Sequence, residues 1–245
     1  MNVITLKQED TDMQTTQFVY LTFDDGPLAG TDDCLAVLGN KSIKGTFFMV
    51  GSHMTTAFRK QQVETVKTGG HFHGNHSANH WHGSSNYASG GKTNAEWLAD
   101  FQSCDTTTAA IRNEPGTKYI HARLPGKNCW RLSSISTNDG NSQRVADHLS
   151  SNGYQIYGWD TEWKYSGTAA ASDPIGTPED YATEVANKIN ATGQTKLPNK
   201  AMVLLHGHQF RNSRGNKTKF SEFIDKLKQK LPNAVFKTVD TYLTD

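Results

Sequence analysis

The sequence predicts an α/β fold, a mostly parallel sheet or barrel flanked by helices. Two observations predict it. Short β-rich apolar runs alternate with helix-like segments from Phe18 to the C-terminus, the pattern of a sheet built by crossover connections. The runs end in turn signals, and the residues that carry chemistry follow them. In such folds the site lies at the carboxyl ends of the strands.

The elements are read in order. Residues 1–17 are polar and form an N-terminal arm, and residues 18–245 form one domain. Phe18–Phe23 is a strand closed by Asp-Asp-Gly-Pro. Thr31–Leu38 is a short helix and Gly45–Val50 a buried strand. Thr56–Thr68 is a helix closed by Gly69-Gly70. Thr93 and Glu96 form a capping box that opens a helix to about Arg112. Tyr119–Ala122 is a strand, Ser142–Ser151 a helix, and Tyr154–Trp159 a strand. Thr177-Pro178-Glu179-Asp180 starts a helix with a capping hydroxyl, a proline at the first position and acids in the first turn. That helix runs to about Ile189. Ala201–Leu205 is an apolar strand, Lys217–Lys230 an amphipathic helix, and Ala234–Val239 the last strand.

Composition narrows the function. The 245 residues carry a net charge of +1, which argues against a nucleic-acid binder. No apolar run is long enough to span a bilayer. The N-terminus has no apolar core of the signal-peptide kind, so the chain reads as cytoplasmic or as the mature form of an exported protein. Cys34, Cys104 and Cys129 are widely spaced and read as buried or free thiols, with one disulfide as the alternative.

Five motifs carry chemistry. Asp24 and Asp25 end the first strand, and a cation would explain the pair: one acid binds it while the other stays nearby as a base. Residues 71–82 hold five of the ten histidines. Within them His76 and His80 are four apart, a spacing that on a helical turn sets two imidazoles on one face for a metal. His71, His73 and His82 read as packing or cleft-lining residues. Arg123 follows a strand, where its planar fork can pair with a carboxylate. In Trp159-Asp160-Thr161-Glu162-Trp163 the two acids share a face if the chain is extended, and the tryptophans offer a sugar platform. His206 ends a buried strand, where an adjacent acid would tune it as a general acid.

In this order the motifs resemble the polysaccharide deacetylase family, also called the NodB-homology domain or carbohydrate esterase family four. Thr22–Pro27 and His76-Ser77-Ala78-Asn79-His80 carry the resemblance, which extends from about Phe18 onward. It implies a distorted (β/α) barrel of about seven parallel strands with outer helices. It also implies removal of acetyl groups from chitin, peptidoglycan, related amino-sugar polymers or acetylxylan. By the resemblance Asp25, His76 and His80 hold one divalent metal, zinc foremost, with cobalt or nickel as alternatives. Asp24 is the base, Arg123 orients it, and His206 is the acid.

The chain departs from the family pattern at three places. Gly126 stands where an aromatic residue usually follows the proline, which leaves a backbone N–H for the oxyanion but no side-chain wall. The fourth motif is one residue short, so Glu162 is the expected support of His206 and Asp160 the rival. Gly207 follows His206 where an aspartate is common, and His208 lies two residues on.

The expected function is metal-dependent hydrolysis of N-acetyl groups. O-deacetylation of acetylxylan and a non-catalytic carbohydrate-binding relative are the alternatives. The expected partner is an acetylated carbohydrate, with no nucleic acid and no membrane span, and the chain is expected to be a monomer. The substrate class implies a secreted, periplasmic or cell-envelope location.

Overall fold

The computed structural model describes residues 16–245, so only the last two residues of the expected arm fall within it. In chain order the strands are β1 (Phe18–Gly26), β2 (Thr46–Met49), β3 (Phe72–Asn75), β4 (His121–Ala122), β5 (Trp130–Leu132), β6 (Ile135–Thr137), β7 (Gln155–Ile156), β8 (Thr161–Glu162), β9 (Tyr165–Thr168), β10 (Ala171–Pro174), β11 (Lys200–His206) and β12 (Val235–Lys237). The helices are α1 (Thr31–Asn40), α2 (Ala57–Thr68), α3 (Ser84–Tyr87), α4 (Asn94–Ile111), α5 (Gln143–Ser151), α6 (Pro178–Asn190) and α7 (Asn216–Lys230).

One curled sheet organises the molecule, in the order β6-β5-β7-β4-β3-β2-β1-β11-β8, with β12 also paired to β1. The run from β7 to β8 is seven parallel strands, as expected. Only β5 and β6 on that path run antiparallel. A separate two-stranded hairpin, β9 with β10, meets the end of β11 and the turn after it through Tyr165 and Ser172.

Alternation along the central strands sets the two faces. On β1, Val19, Leu21 and Phe23 are buried with Val203 and Leu205 of β11 and with Phe220, Phe223 and Ile224 of α7. Tyr20 and Met202 belong to a second apolar cluster with Phe48, Trp130, Tyr157 and Tyr242. Further along the same face as Tyr20 come Thr22 and then Asp24. The register of β1 on β11 sets Asp24 opposite His206.

Helix starts follow the capping chemistry. Thr93 with Glu96 and Thr177 with Asp180 both form full capping boxes. Strand ends differ from expectation where side chains take over the backbone. Tyr119 N donates to Asp105 Oδ1 at 3.1 Å, so β4 starts later than the sequence suggests. Trp159 N donates to Asn128 Oδ1 at 2.9 Å, which takes the chain out of the ladder after β7. β3 was hidden inside the histidine-rich stretch. Its Gly74 is required by packing, because a Cβ there would meet Phe48 Cδ1 at 2.3 Å. The three cysteines are buried and free. No helix among the described residues is long and apolar enough to cross a membrane.

Candidate active site and metal centre

The carboxyl ends of the parallel strands open into a cleft of about 600 Å³. Its lining includes Asp24, Asp25, His76, His80, Trp159, Glu162 and His206.

The aspartate pair comes from the end of β1. The pairing of β1 with β2 shifts register between Phe23 and Gly26, and Asp25 takes a left-handed φ of 69°. An alternating strand would send neighbouring side chains to opposite faces. This irregularity brings both carboxylates to one cleft.

The two histidines do not ride on a helix. Residues after β3 form a loop in which Ser77 and His80 have φ of 66° and 52°. Ser77 N donates to Asn75 Oδ1 at 2.8 Å, and His80 N donates to Ser77 Oγ at 3.0 Å. Asp100 of α4 accepts from Asn79 and fixes the loop from outside. The expected i, i+4 face is thus replaced by a hydrogen-bonded loop that still sets the two rings 5.0 Å apart.

Asp25, His76 and His80 converge. His80 Nε2 is 3.0 Å and His76 Nε2 3.5 Å from Asp25 Oδ1. The three ligand atoms all lie within 4.8 Å of one another. The donor set suits a divalent ion: two imidazoles and one carboxylate, with room on the cleft side. His76 Nδ1 lies 2.9 Å from the Arg123 carbonyl. A carbonyl only accepts, so Nδ1 carries the proton and Nε2 offers its lone pair to the centre. Burial pushes the Asp25 carboxyl upward, but the imidazoles of His208, His76 and His80 gathered around it outweigh burial and hold the group well below the usual carboxylate range.

Arg123 is fully buried. Its Nη1 donates to Asp24 Oδ1 and to Thr22 Oγ1, each at 2.8 Å. Its Nε and Nη2 donate to the carbonyls of Tyr157 and Gly158 at 3.1 and 2.7 Å. The guanidinium also lies over the Phe48 ring at 4.4 Å. Asp24 Oδ1 is thereby engaged, and Asp24 Oδ2 faces His76 Nε2 at 3.6 Å.

The fourth motif divides. Glu162 lines the cleft, and burial raises its pKa. Asp160 is elsewhere: its oxygens accept from Lys196 N and Met202 N at 2.8 and 2.7 Å. Met202 precedes His206 by four strand residues, roughly 13 Å. Asp160 therefore secures the start of β11 and does not support His206. Trp159 lines the cleft, whereas Trp163 is core. Trp163 stacks on Tyr181 with centroids 5.0 Å apart and donates from Nε1 to the Ile175 carbonyl, so it is no sugar platform.

His206 reaches the cleft, but neither Glu162 nor Asp160 hydrogen-bonds to it among the described residues. Its Nδ1 is buried without a partner. Burial, opposed by Asp25 and Asp24, lowers its pKa to about 4. The expectation of a carboxylate-supported, protonated imidazole thus does not hold in the substrate-free chain. Gly126 lines the cleft with φ of 64°, a conformation glycine adopts at little cost. Of the other histidines in the motif, His71 and His73 are buried and pack on Phe47 and Tyr119, and His82 lines the cleft.

Three contributors, His53, Tyr165 and Ser172, escaped sequence reasoning, while His208 was noted only as a neighbour of His206. His53 lines the cleft from the turn after β2, with Nδ1 2.8 Å from the Asp25 carbonyl. The end of the expected Gly45–Val50 strand was the signal for it. Tyr165 of β9 packs edge-on against His206 and His208. His208 is fully buried, with Nδ1 2.7 Å from Ser172 Oγ and Nε2 3.7 Å from Asp25 Oδ2. The β9–β10 hairpin that supplies Tyr165 and Ser172 has no periodic pattern long enough to announce it.

Comparison with known proteins agrees with this geometry. Residues 12–128 match the family model described as polysaccharide deacetylase. The chain is 25% identical to a chitin disaccharide deacetylase of Vibrio alginolyticus, over 91% of this chain and 71% of that protein. Its fold is that of a Streptococcus mutans family 4 carbohydrate esterase, with a TM-score of 0.68 at 20% identity over 91% of this chain and 86% of the other. It is also that of a family 4 pseudoenzyme from Bacillus anthracis, with a TM-score of 0.62 at 19% identity over 94% and 66%. The matched segment carries Asp24, Asp25, His76, His80 and Arg123, and through it the chain resembles the polysaccharide deacetylase family.

Proposed function

We propose that the chain is a metal-dependent N-deacetylase of acetylated amino-sugar oligosaccharides or polymers of the chitin type. One observation carries the reading: a carboxylate pair, two metal-ready imidazoles and a buried arginine converge at one strand-end cleft. The relative that deacetylates chitin disaccharide supports the substrate class. Because a pseudoenzyme shares the fold, the argument rests on these side chains and not on the fold.

Asp25, His76 and His80 would hold the ion, zinc being the first choice for this donor set. When bound, such an ion polarises the acetyl carbonyl and acidifies water. Asp24 takes the proton of the attacking water on Oδ2, because Arg123 occupies Oδ1. Gly126, which lines the cleft, would offer its N–H to the oxyanion. His206 is neutral at rest near pH 7. It takes up a proton from solvent as negative charge develops beside it, then gives it to the leaving nitrogen. Trp159 and Tyr165 offer ring faces to the sugar.

The chain acts as a monomer on glycan outside the cytoplasm or in the cell envelope. Acetate release from N-acetylated chitooligosaccharides, peptidoglycan fragments and acetylxylan, compared side by side, tests the substrate class. Release from acetylxylan alone would replace the reading by an O-acetyl esterase.

A further inference from the structure

We infer that His53 is a substrate-recognition residue of this cleft, accepting a hydrogen bond from the sugar unit that carries the acetyl group. The inference rests on the deacetylase reading above. His53 ends the short turn Gly51–His53 after β2 and lines the cleft beside Asp25 and His80. Its Nδ1 lies 2.8 Å from the Asp25 main-chain carbonyl. That oxygen has no proton to give, so Nδ1 must carry one and donate it. The neutral ring then has one tautomer, with a lone pair on Nε2. No hydrogen bond engages Nε2 among the described residues, and the ring is half-buried.

The result is a fixed acceptor beside the centre that the reaction itself does not use. A sugar ring presents the matching donors, its hydroxyls and its acetamido N–H. The same contact braces the backbone of Asp25 at its left-handed φ of 69°, so the acceptor is rigidly referenced to the proposed metal ligand. Leaving a substrate donor unpaired in this cleft costs more than the bond is worth in water.

Two substitutions separate the two edges of the ring. His53→Asn retains a donor at the place of Nδ1 and removes Nε2. His53→Gln places an acceptor near Nε2 and loses the donor to Asp25. Binding of N,N′-diacetylchitobiose to the zinc-loaded chain is measured by calorimetry, with acetate release, zinc content and melting temperature in parallel. For His53→Asn the expected result is about five- to twentyfold weaker binding and a correspondingly higher KM, with zinc content and melting temperature unchanged. His53→Gln should recover part of the binding. Unchanged binding in His53→Asn overturns the inference, as does a fall in zinc content that accounts for the loss. An O-acetylated substrate identifies the donor: a His53 effect that persists there points to a hydroxyl, and one that vanishes points to the acetamido N–H. Binding by the wild-type chain without acetate release would defeat the deacetylase reading and leave the His53 comparison readable. No binding by the wild-type chain would overturn both.

Discussion

Arg123 Nη1 lies 2.8 Å from Asp24 Oδ1, in an ion pair buried at both partners. The same guanidinium satisfies Thr22 and the carbonyls of Tyr157 and Gly158, so one side chain ties β1 to the segment after β7. Arg123→Met leaves the Asp24 charge buried and unpaired. We expect a loss of about 3–5 kcal/mol of stability, together with loss of activity. Denaturant unfolding and acetate release on the folded fraction check both. Wild-type stability in Arg123→Met would mean that water already neutralises Asp24.

Asp24→Asn retains shape and the contact with Arg123 but cannot take a proton. Turnover should fall by about 10²–10⁴-fold, with bound metal unchanged. Kinetics and elemental analysis on one preparation test this, and undiminished turnover would remove Asp24 from the role of base.

His80→Ala removes one of three converging ligands while leaving the buried core intact. The variant should fold but retain less than one metal per chain after dialysis. Stoichiometric metal in it would place the ion elsewhere.

The two tryptophans of the fourth motif should behave differently. Trp163→Ala opens the cluster with Tyr181, Phe210 and Phe223 and should cost about 3–5 kcal/mol. Trp159→Ala should raise KM for oligosaccharide with a smaller loss of stability. The reverse pattern would contradict the placement of both rings.

Asp160 predicts a pH dependence. Burial raises its pKa from 3.8 to about 6, against the pull of the Met202 and Lys196 N–H groups. The folded chain therefore binds more protons than the unfolded chain between those values. The stabilising contribution of Asp160 is full below about pH 4 and is lost as pH rises through about 6. Asp160→Asn should flatten this part of the stability curve, read from melting temperature between pH 4 and 7. An unchanged slope would show that Asp160 titrates normally.

The sequence announced those parts of the site that a short local pattern fixes. Asp24-Asp25 before Gly-Pro, the His76–His80 spacing and a histidine at the end of an apolar strand are visible because a strand end and its next few residues act together. What it hid depends on distant partners. Trp163 and Trp159 are the same residue type four positions apart, yet Tyr181 and Phe223 draw one into the core. Asp160 looked like a site acid until the backbone N–H groups of Lys196 and Met202 claimed both of its oxygens. Tyr165 and Ser172 enter through a hairpin of two four-residue strands, too short for any periodicity to appear. The seven parallel strands were expected from the family resemblance, while several were longer on paper than in space, because Asp105 and Asn128 cut two of them short.

The most direct test of the central claim is acetate release from N-acetylated chitooligosaccharide by one preparation, stripped of metal and then restored with zinc. The account predicts no release from the stripped chain, recovery on adding one zinc per chain, and no recovery in Asp24→Asn. Full release from a chain shown to be free of metal would contradict it.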